Sequence, residues 1–256
     1  VIPRKRFGQH FLHDQAVIAS IVTAIAPQPD EHVVEIGPGL GALTLPLLKQ
    51  IPTMDVIEID RDAIRELRGK TTADALRIHE ADVLKFDIGS LRREQTLRLV
   101  GNLPYNISTP LLFHLIAQRH HIRDMHFMLQ KEVVDRMAAQ PDTAAYGRLT
   151  IMLAPWVRVE SLFDIGPGAF RPPPRVISSV ARLTPHQHAP FTIVNQDIFA
   201  QVVAAAFAQR RKTLRNAVKQ LLPEAAIERA GIDPNARGET LSPAQFAALA
   251  AQYTAP

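Results

Sequence analysis

Short apolar runs rich in branched residues alternate with helix-period segments from about residue 32 to residue 184. That alternation predicts a mostly parallel sheet covered by helices. The runs "HVVEIG", "MDVIEID", "LRIHEAD", "LRLVGN" and "MHFMLQ" read as its strands. Two later runs, "VRVESLFDI" and "VISSVARL", are joined by "GPGAFRPPPR" and predict a terminal hairpin-like pair, which sets an antiparallel strand at one side of the sheet. The stretch "TPHQHAP" (184–190), rich in proline and histidine and without periodicity, marks a linker. From Asn195 onward Phe199, Val203, Phe207, Leu214, Val218 and Leu221 repeat at spacings of three, four and seven, so the remainder reads as helical. The expected domains are 1–184 and 185–256.

Composition adds bounds. A chain of 256 residues accommodates one full α/β domain and a smaller appendage. Its 46% hydrophobic and 21% charged content is that of an ordinary globular protein, and no apolar run reaches the roughly 18 to 20 residues a membrane span needs. The sequence holds no cysteine, which excludes disulfides, thiolate nucleophiles and sulfur-based zinc sites and fits a reducing cytoplasm. "VIPRKRFGQHFL" carries positive charge without a following apolar segment, so it does not read as a signal peptide. His120, His121, His126, His186 and His188 lack acids or thiols at ligand spacing; they read as surface or loop residues, and no metal site is expected.

Net charge is +4 with a pI of about 9.6, but the cations cluster. Arg4, Lys5 and Arg6 form one group, and "QRRKTLRNAVK" (209–219) holds five cations and no acid. On a helix Arg211, Lys212, Arg215 and Lys219 fall beside the apolar stripe, with Arg210 on its edge. Either cluster alone is ordinary solvated surface; together they suit a polyanionic partner.

"VVEIGPGLGALT" runs from a strand into a helix and puts Gly37, Gly39 and Gly41 in the turn, where backbone can approach a ligand closely. Gly37, Gly39 and Ala42 satisfy the dinucleotide fingerprint, and Glu58 follows where a ribose-binding acid belongs. The motif alone does not choose between NAD and S-adenosylmethionine. Glu35, just before the glycines, favours the second: it can organise the loop or face a methionine ammonium, and it would repel a pyrophosphate. Asp82 ends the next strand, where an acid can accept from an adenine amine. Taken singly, each acid is equally well a surface or capping carboxylate; together they mark the carboxyl ends of successive strands, where open α/β sheets bind ligands.

"GNLPYNISTP" ends the following strand. An adenine amine is a poor nucleophile because its lone pair is delocalised into the ring. Acceptors aimed at its hydrogens relieve this, and the Asn102 oxygen with a carbonyl of Leu103 or Pro104 could supply them. Tyr105 offers a flat face for an extruded base. The plainer reading is a strand-to-turn junction with Ser108 capping the next helix, and it does not compete.

Nine stretches in order resemble the rRNA adenine dimethyltransferase family: "RKRFGQHFL", "VEIGPGLGALT", "VIEIDRD", "ADVLKFD", "VGNLPYNISTPLLFHL", "MLQKEVVDRMAAQP", "YGRLTIM", "AFRPPPRVISSVARL" and "AFAQRRKTLRN". The resemblance implies a Rossmann-like S-adenosylmethionine-dependent methyltransferase fold, with seven strands in a mostly parallel sheet and a small C-terminal helical domain that helps dock on the ribosomal subunit. It implies cofactor contacts at His10, Leu12, Gly37, Glu58, Asp82 and Asn102, to which the glycine-loop reading adds Glu35 and Gly39. Catalytic positions carry over to Asn102, Leu103, Pro104 and Tyr105, with Phe170 as an opposing aromatic face. The RNA contacts expected are Arg4, Lys5, Arg6, Arg210, Arg211, Lys212 and Arg215. The implied reaction gives two methyl groups to each of two adjacent adenosines in the 3'-terminal hairpin loop of 16S rRNA in the small ribosomal subunit, leaving S-adenosylhomocysteine; a monomeric cytoplasmic enzyme is expected. The rivals are a DNA adenine methylase with an Asn-Pro-Pro-Tyr motif, an erythromycin-resistance methylase acting on large-subunit rRNA, and a ribosome-assembly factor for which methylation is secondary.

Overall fold

The computed structural model describes residues 10–254. The chain divides into two compact units. One runs up to Val134 and adds Val159–Pro185; the other joins Asp135–Arg158 to the chain from His186 onward. The sequence boundary near residue 185 thus has a structural counterpart, but residues 135–158 belong with the second unit and not with the first. The reason is burial: Tyr146 and Ile151 share a core with Phe199, Val203 and Phe246, and the Tyr146 hydroxyl donates to the Leu241 carbonyl at 2.6 Å.

The first unit opens with β1 (Phe11–Leu12) and α1 (Gln15–Ile25). Asp14 starts α1 by accepting from the N–H groups of Ala16 and Val17 at 2.9 and 3.1 Å. The helix buries Ile18, Ile21, Val22 and Ile25, and the chain leaves it through a left-handed Ala26. There follow β2 (His32–Ile36), α2 (Thr44–Leu47), β3 (Met54–Glu58), α3 (Arg61–Lys70), β4 (Leu76–Glu80), β5 (Leu97–Asn102), α4 (Ser108–Ala117) and β6 (Ile122–Gln130). Asp60 caps α3, its carboxylate accepting from Asp62 N–H at 3.0 Å. The helix α5 (Lys131–Met137) leaves β6, and β7 (Val157–Ile165), β8 (Phe170–Arg171) and β9 (Ser178–Pro185) complete the strands.

Seven strands form one sheet in the order β4-β3-β2-β5-β6-β9-β7. Neighbours from β4 through β6 run parallel, and β9 runs antiparallel to β6 with Met128 opposite Val180. β9 and β7 thus form the terminal pair the sequence predicts, with β7 at the edge and β9 between it and β6. Burial along β3 is unbroken and along β2 and β5 nearly so, as parallel strands covered on both faces require. The order turns back between β2 and β5. That is the switch point, and ligands in such sheets bind outside the strand ends beside it. A separate two-stranded sheet pairs β1 with β8, Phe11 opposite Arg171 and Leu12 opposite Phe170.

The second unit is helical: α6 (Arg148–Leu153), α7 (Gln196–Ala208), α8 (Leu214–Ala217), α9 (Glu224–Arg229) and α10 (Pro243–Ala250). The continuous apolar stripe from Phe199 to Leu221 does not belong to one helix. Between α7 and α8 the chain turns, because Thr213 bridges Arg237 and Leu214 N–H donates to the Ala236 carbonyl at 2.7 Å. No helix among the described residues is long and apolar enough to cross a membrane.

Candidate active site

A cleft of about 430 Å3 opens in the first unit at the switch point, walled by the ends of β2, β3 and β5 and by the segment after β4. β2 delivers the glycine loop. Gly37, Gly39 and Gly41 all take positive φ, of 64°, 53° and 86°. At Gly39 a side chain would meet two obstacles: a strained backbone, and the Phe11 ring 3.3 Å from where its Cβ would stand. Leu12 is buried and lines the cleft beside Phe11.

Glu58 closes β3 and faces the cleft. Its Oε1 accepts from Ile59 N–H at 2.8 Å and Asp60 N–H at 2.9 Å, and its Oε2 accepts from Gly39 N–H at 3.2 Å. Burial pushes this carboxyl above its usual range despite those bonds. Asp82 also lines the cleft and caps a short turn, accepting from Leu84 N–H at 3.0 Å. The capping and lining roles coexist.

Glu35, expected at the cofactor, is not part of the cleft wall. Only 2% exposed, it lies beneath the loop and accepts from the Thr44 hydroxyl at 2.5 Å. Burial pushes its pKa up to about 8, partly opposed by the Thr44 bond and assisted by the nearby Glu58 charge. Glu35 thus ties the loop to α2 as a mostly neutral acid at pH 7. In the folded protein it keeps a proton that the unfolded chain releases near 4.5, so its contribution to stability declines as pH rises from about 4.5 to about 8 and levels off above. Replacing Glu35 with Gln is expected to stabilise the protein at pH 8 by on the order of 2 kcal/mol. That gain should vanish near pH 4.5 in thermal melts, with S-adenosylhomocysteine affinity unchanged.

β5 ends in the turn that begins at Asn102. At Gly101 a Cβ would stand 2.6 Å from the Ile36 carbonyl oxygen, so only glycine lets β5 pass this close to β2. Asn102 follows, and its Nδ2 donates to the His10 carbonyl at 3.0 Å. With the amide nitrogen so engaged, Oδ1 is the acceptor left for a ligand. Leu103 N–H donates to the Met128 carbonyl at 3.2 Å, and the Pro104 carbonyl accepts from Ile107 N–H at 3.2 Å. The Tyr105 hydroxyl pairs with Ser178 Oγ at 2.7 Å, and its ring stacks on His10 with centroids 5.7 Å apart. Burial raises the Tyr105 hydroxyl above its ordinary pKa. Ser108 does not cap α4: it is the first helical residue, buried, and its hydroxyl donates to the Tyr105 carbonyl at 3.1 Å.

Phe170, expected as the second aromatic face, is 2% exposed and packs in the core with Leu12 and Val100. Alternation along β8 explains the difference: Phe170 turns inward and its neighbour Arg171 lines the cleft. The ring beside Tyr105 is His10. The sequence reading missed Ser178, Phe11 and Arg171, which reach the site through pairings distant in the chain.

The expected RNA cations divide. Arg4, Lys5 and Arg6 lie outside the described residues. Arg210 pairs with Glu239 and donates to the carbonyls of Thr143 and Ala144 at 3.0 and 2.9 Å, so it fastens the second unit internally. Arg211 and Lys212 are exposed in the turn between α7 and α8, and Arg215 is exposed beside Glu224 at 3.5 Å. Of the histidines, His126 is no surface residue: it is buried within β6.

A glycine loop at the switch point, acids after successive strands and an asparagine-led turn at the end of β5 define a Rossmann-like S-adenosylmethionine-dependent methyltransferase. The chain belongs to the ribosomal RNA adenine dimethylase family, whose model matches residues 3–255. It is 56% identical over 249 residues to ribosomal RNA small subunit methyltransferase A of Thiobacillus denitrificans, covering 97% of each chain. It is 53% identical over 252 residues to the protein of the same name from Laribacter hongkongensis, covering 98% of this chain and 96% of that one. Among solved structures, a dimethyladenosine transferase from Plasmodium falciparum superposes with a TM-score of 0.80 at 25% identity, covering 94% and 96% of the two chains. The 23S rRNA methyltransferase ErmE gives 0.72 at 25% identity, covering 95% and 99%.

Proposed function

We propose that this chain dimethylates the N6 amines of two adjacent adenosines in the 3'-terminal hairpin loop of 16S rRNA within the small ribosomal subunit. The observation that carries the chemistry is the engaged amide nitrogen of Asn102, which leaves its oxygen to accept from an amine. The small-subunit target is favoured over the large-subunit one because relatives with the small-subunit name reach 56% identity, against 25% for ErmE.

The cleft suits S-adenosylmethionine: Glu58 and Asp82 offer acceptors, the loop offers close backbone approach, and Arg171 is the one Lys or Arg side chain among the described lining residues. When bound, that cofactor supplies an electrophilic methyl on a sulfonium and leaves as S-adenosylhomocysteine. Glu58 Oε2 has a lone pair for a ribose hydroxyl, and Asp82 for an adenine amine. Asn102 Oδ1 and the Leu103 carbonyl take the two hydrogens of the target amine, which localises its lone pair. The Leu103 carbonyl is assigned; that of Pro104 accepts from Ile107 and keeps one lone pair for the same role. Tyr105 supports the extruded base. No strong base is needed, since the alkylated nitrogen loses its proton to water. The cysteine-free chain suits a reducing cytoplasm, and it acts there as a monomer, with the first unit holding the chemistry and the second helping to dock on the subunit.

The direct test incubates the protein with S-adenosylmethionine and small subunits lacking the modification, then reads nucleosides by mass spectrometry. N6,N6-dimethyladenosine is expected; its absence with cofactor bound would sink the reading. Neutralising Arg211, Lys212 and Arg215 together should weaken subunit binding and flatten its salt dependence, by about 0.7–0.9 in log–log slope for each phosphate no longer neutralised. S-adenosylhomocysteine affinity should stay at the wild-type value, and equal loss of both would leave the docking role unsupported.

A further inference from the structure

We propose that His10 is a positioning residue for the transfer step, aiming both the acceptor and the aromatic platform of the catalytic turn. Three interactions converge on it. Its carbonyl takes the Asn102 Nδ2 proton at 3.0 Å, its ring stacks on Tyr105 at 5.7 Å with a 27° tilt, and its Nδ1 donates to the Pro172 carbonyl at 2.8 Å. Tyr105 is anchored from its far end by Ser178 at 2.7 Å. The turn is thus gripped between the segment before β1 and the segment from Pro172 to Ser178.

An asparagine side chain is ambivalent: either end of its amide can face the amine, and only the oxygen can accept from it. The His10 carbonyl resolves that choice, because two facing oxygens repel and an oxygen facing an N–H attracts. The carbonyl is held in place by its own residue's ring, which is fixed on Pro172 and Tyr105. His10 also lines the cleft. The residue that orients Asn102 thus stands in the cleft wall, and the amine meets an aimed oxygen only when the segment before β1 is in place.

The inference rests on the proposed amine chemistry, and it is tested with the full chain acting on undermethylated small subunits. His10→Ala removes both ring interactions; His10→Asn keeps a donor near the Nδ1 position and loses the ring; His10→Phe keeps the ring and loses the donor. At saturating S-adenosylmethionine, kcat for His10→Ala should fall by about 10²-fold, the cost of a misplaced catalytic group. His10→Asn and His10→Phe should fall between that value and wild type. Calorimetric affinity for S-adenosylhomocysteine should fall far less than kcat, because Glu58, Asp82 and the glycine loop are untouched, and the melting temperature should drop by only a few degrees. The inference is overturned if kcat is unchanged in all three, if the loss is matched by equal loss of S-adenosylhomocysteine affinity, or if all three lose activity only through unfolding. An inactive wild-type protein would instead remove the functional reading itself.

Discussion

Asn102→Ala is expected to lose methyl transfer almost entirely, with kcat down by about 10²–10³-fold or more, as when one preorganised hydrogen-bonding group is removed from other active sites. The side chain has two parts to play: in the proposed reaction its oxygen accepts the amine hydrogen, and in the structure its nitrogen donates to the His10 carbonyl. Alanine removes both. Cofactor affinity should fall far less than kcat, because Glu58, Asp82 and the glycine loop are untouched. Nucleoside mass spectrometry gives the first readout and calorimetry with S-adenosylhomocysteine the second. The same variant separates catalysis from the assembly role: if small subunits mature normally around an Asn102→Ala protein that still binds them, binding is the principal function and methylation accompanies it. Asn102→Asp is the informative companion. It restores an oxygen but sets a carboxylate against the His10 carbonyl, so activity should stay well below wild type.

Asp55→Ala should destabilise the first unit by about 3–5 kcal/mol, the penalty for stranding a charge within a buried network. Asp55 is a buried residue of β3 that accepts from His32 on β2 at 2.6 Å, and from His79 and Arg77 on β4 at 2.7 and 3.0 Å. One carboxylate thereby ties together the three strands β2, β3 and β4. Burial alone would raise its pKa, but the bonds from His32, Arg77 and His79 hold it well below the usual carboxylate range. A depressed folded value means that its contribution is complete above about pH 4, the unfolded range, and is lost as pH falls further. Wild type and variant should accordingly converge in stability in strong acid and diverge above it, as measured by denaturant titration at several pH values. At temperatures where the variant stays folded, kcat should be near wild type, since none of Asp55, His32, Arg77 and His79 lines the cleft. A large drop in kcat without a drop in stability would contradict this account.

Much of the sheet was legible because each strand carries its own signal. β2, β3 and β5 are covered on both faces, so their apolar runs are nearly continuous, and the glycine loop and Asn102 follow directly from their ends. What was not legible depends on partners far away in the chain. Nothing local tells whether Glu35 faces a ligand or is buried under Thr44; the fold of the loop decides it. The two residues of β8 are too few to display alternation, and only pairing with β1 shows that Phe170 points in and Arg171 out. The break after Ala208 is invisible to an apolar stripe that continues across it, because a bridge to Arg237 makes the turn. Residues 135–158 look like part of the first domain until Tyr146 is seen to bury itself among residues about 50 to 100 positions later.

The grip on the catalytic turn sets when the site can exist during synthesis. His10 and Pro172 are separated by 162 positions and Tyr105 and Ser178 by 73, and β9 must slot against β6 to bring Ser178 to its place. A growing chain can fold the glycine loop and the first parallel strands early, from pairings between near neighbours. Its asparagine and tyrosine stay unaimed until residue 178 has emerged and the last-made inner strand has docked. The turn is therefore completed late, once the strand that carries Ser178 has docked.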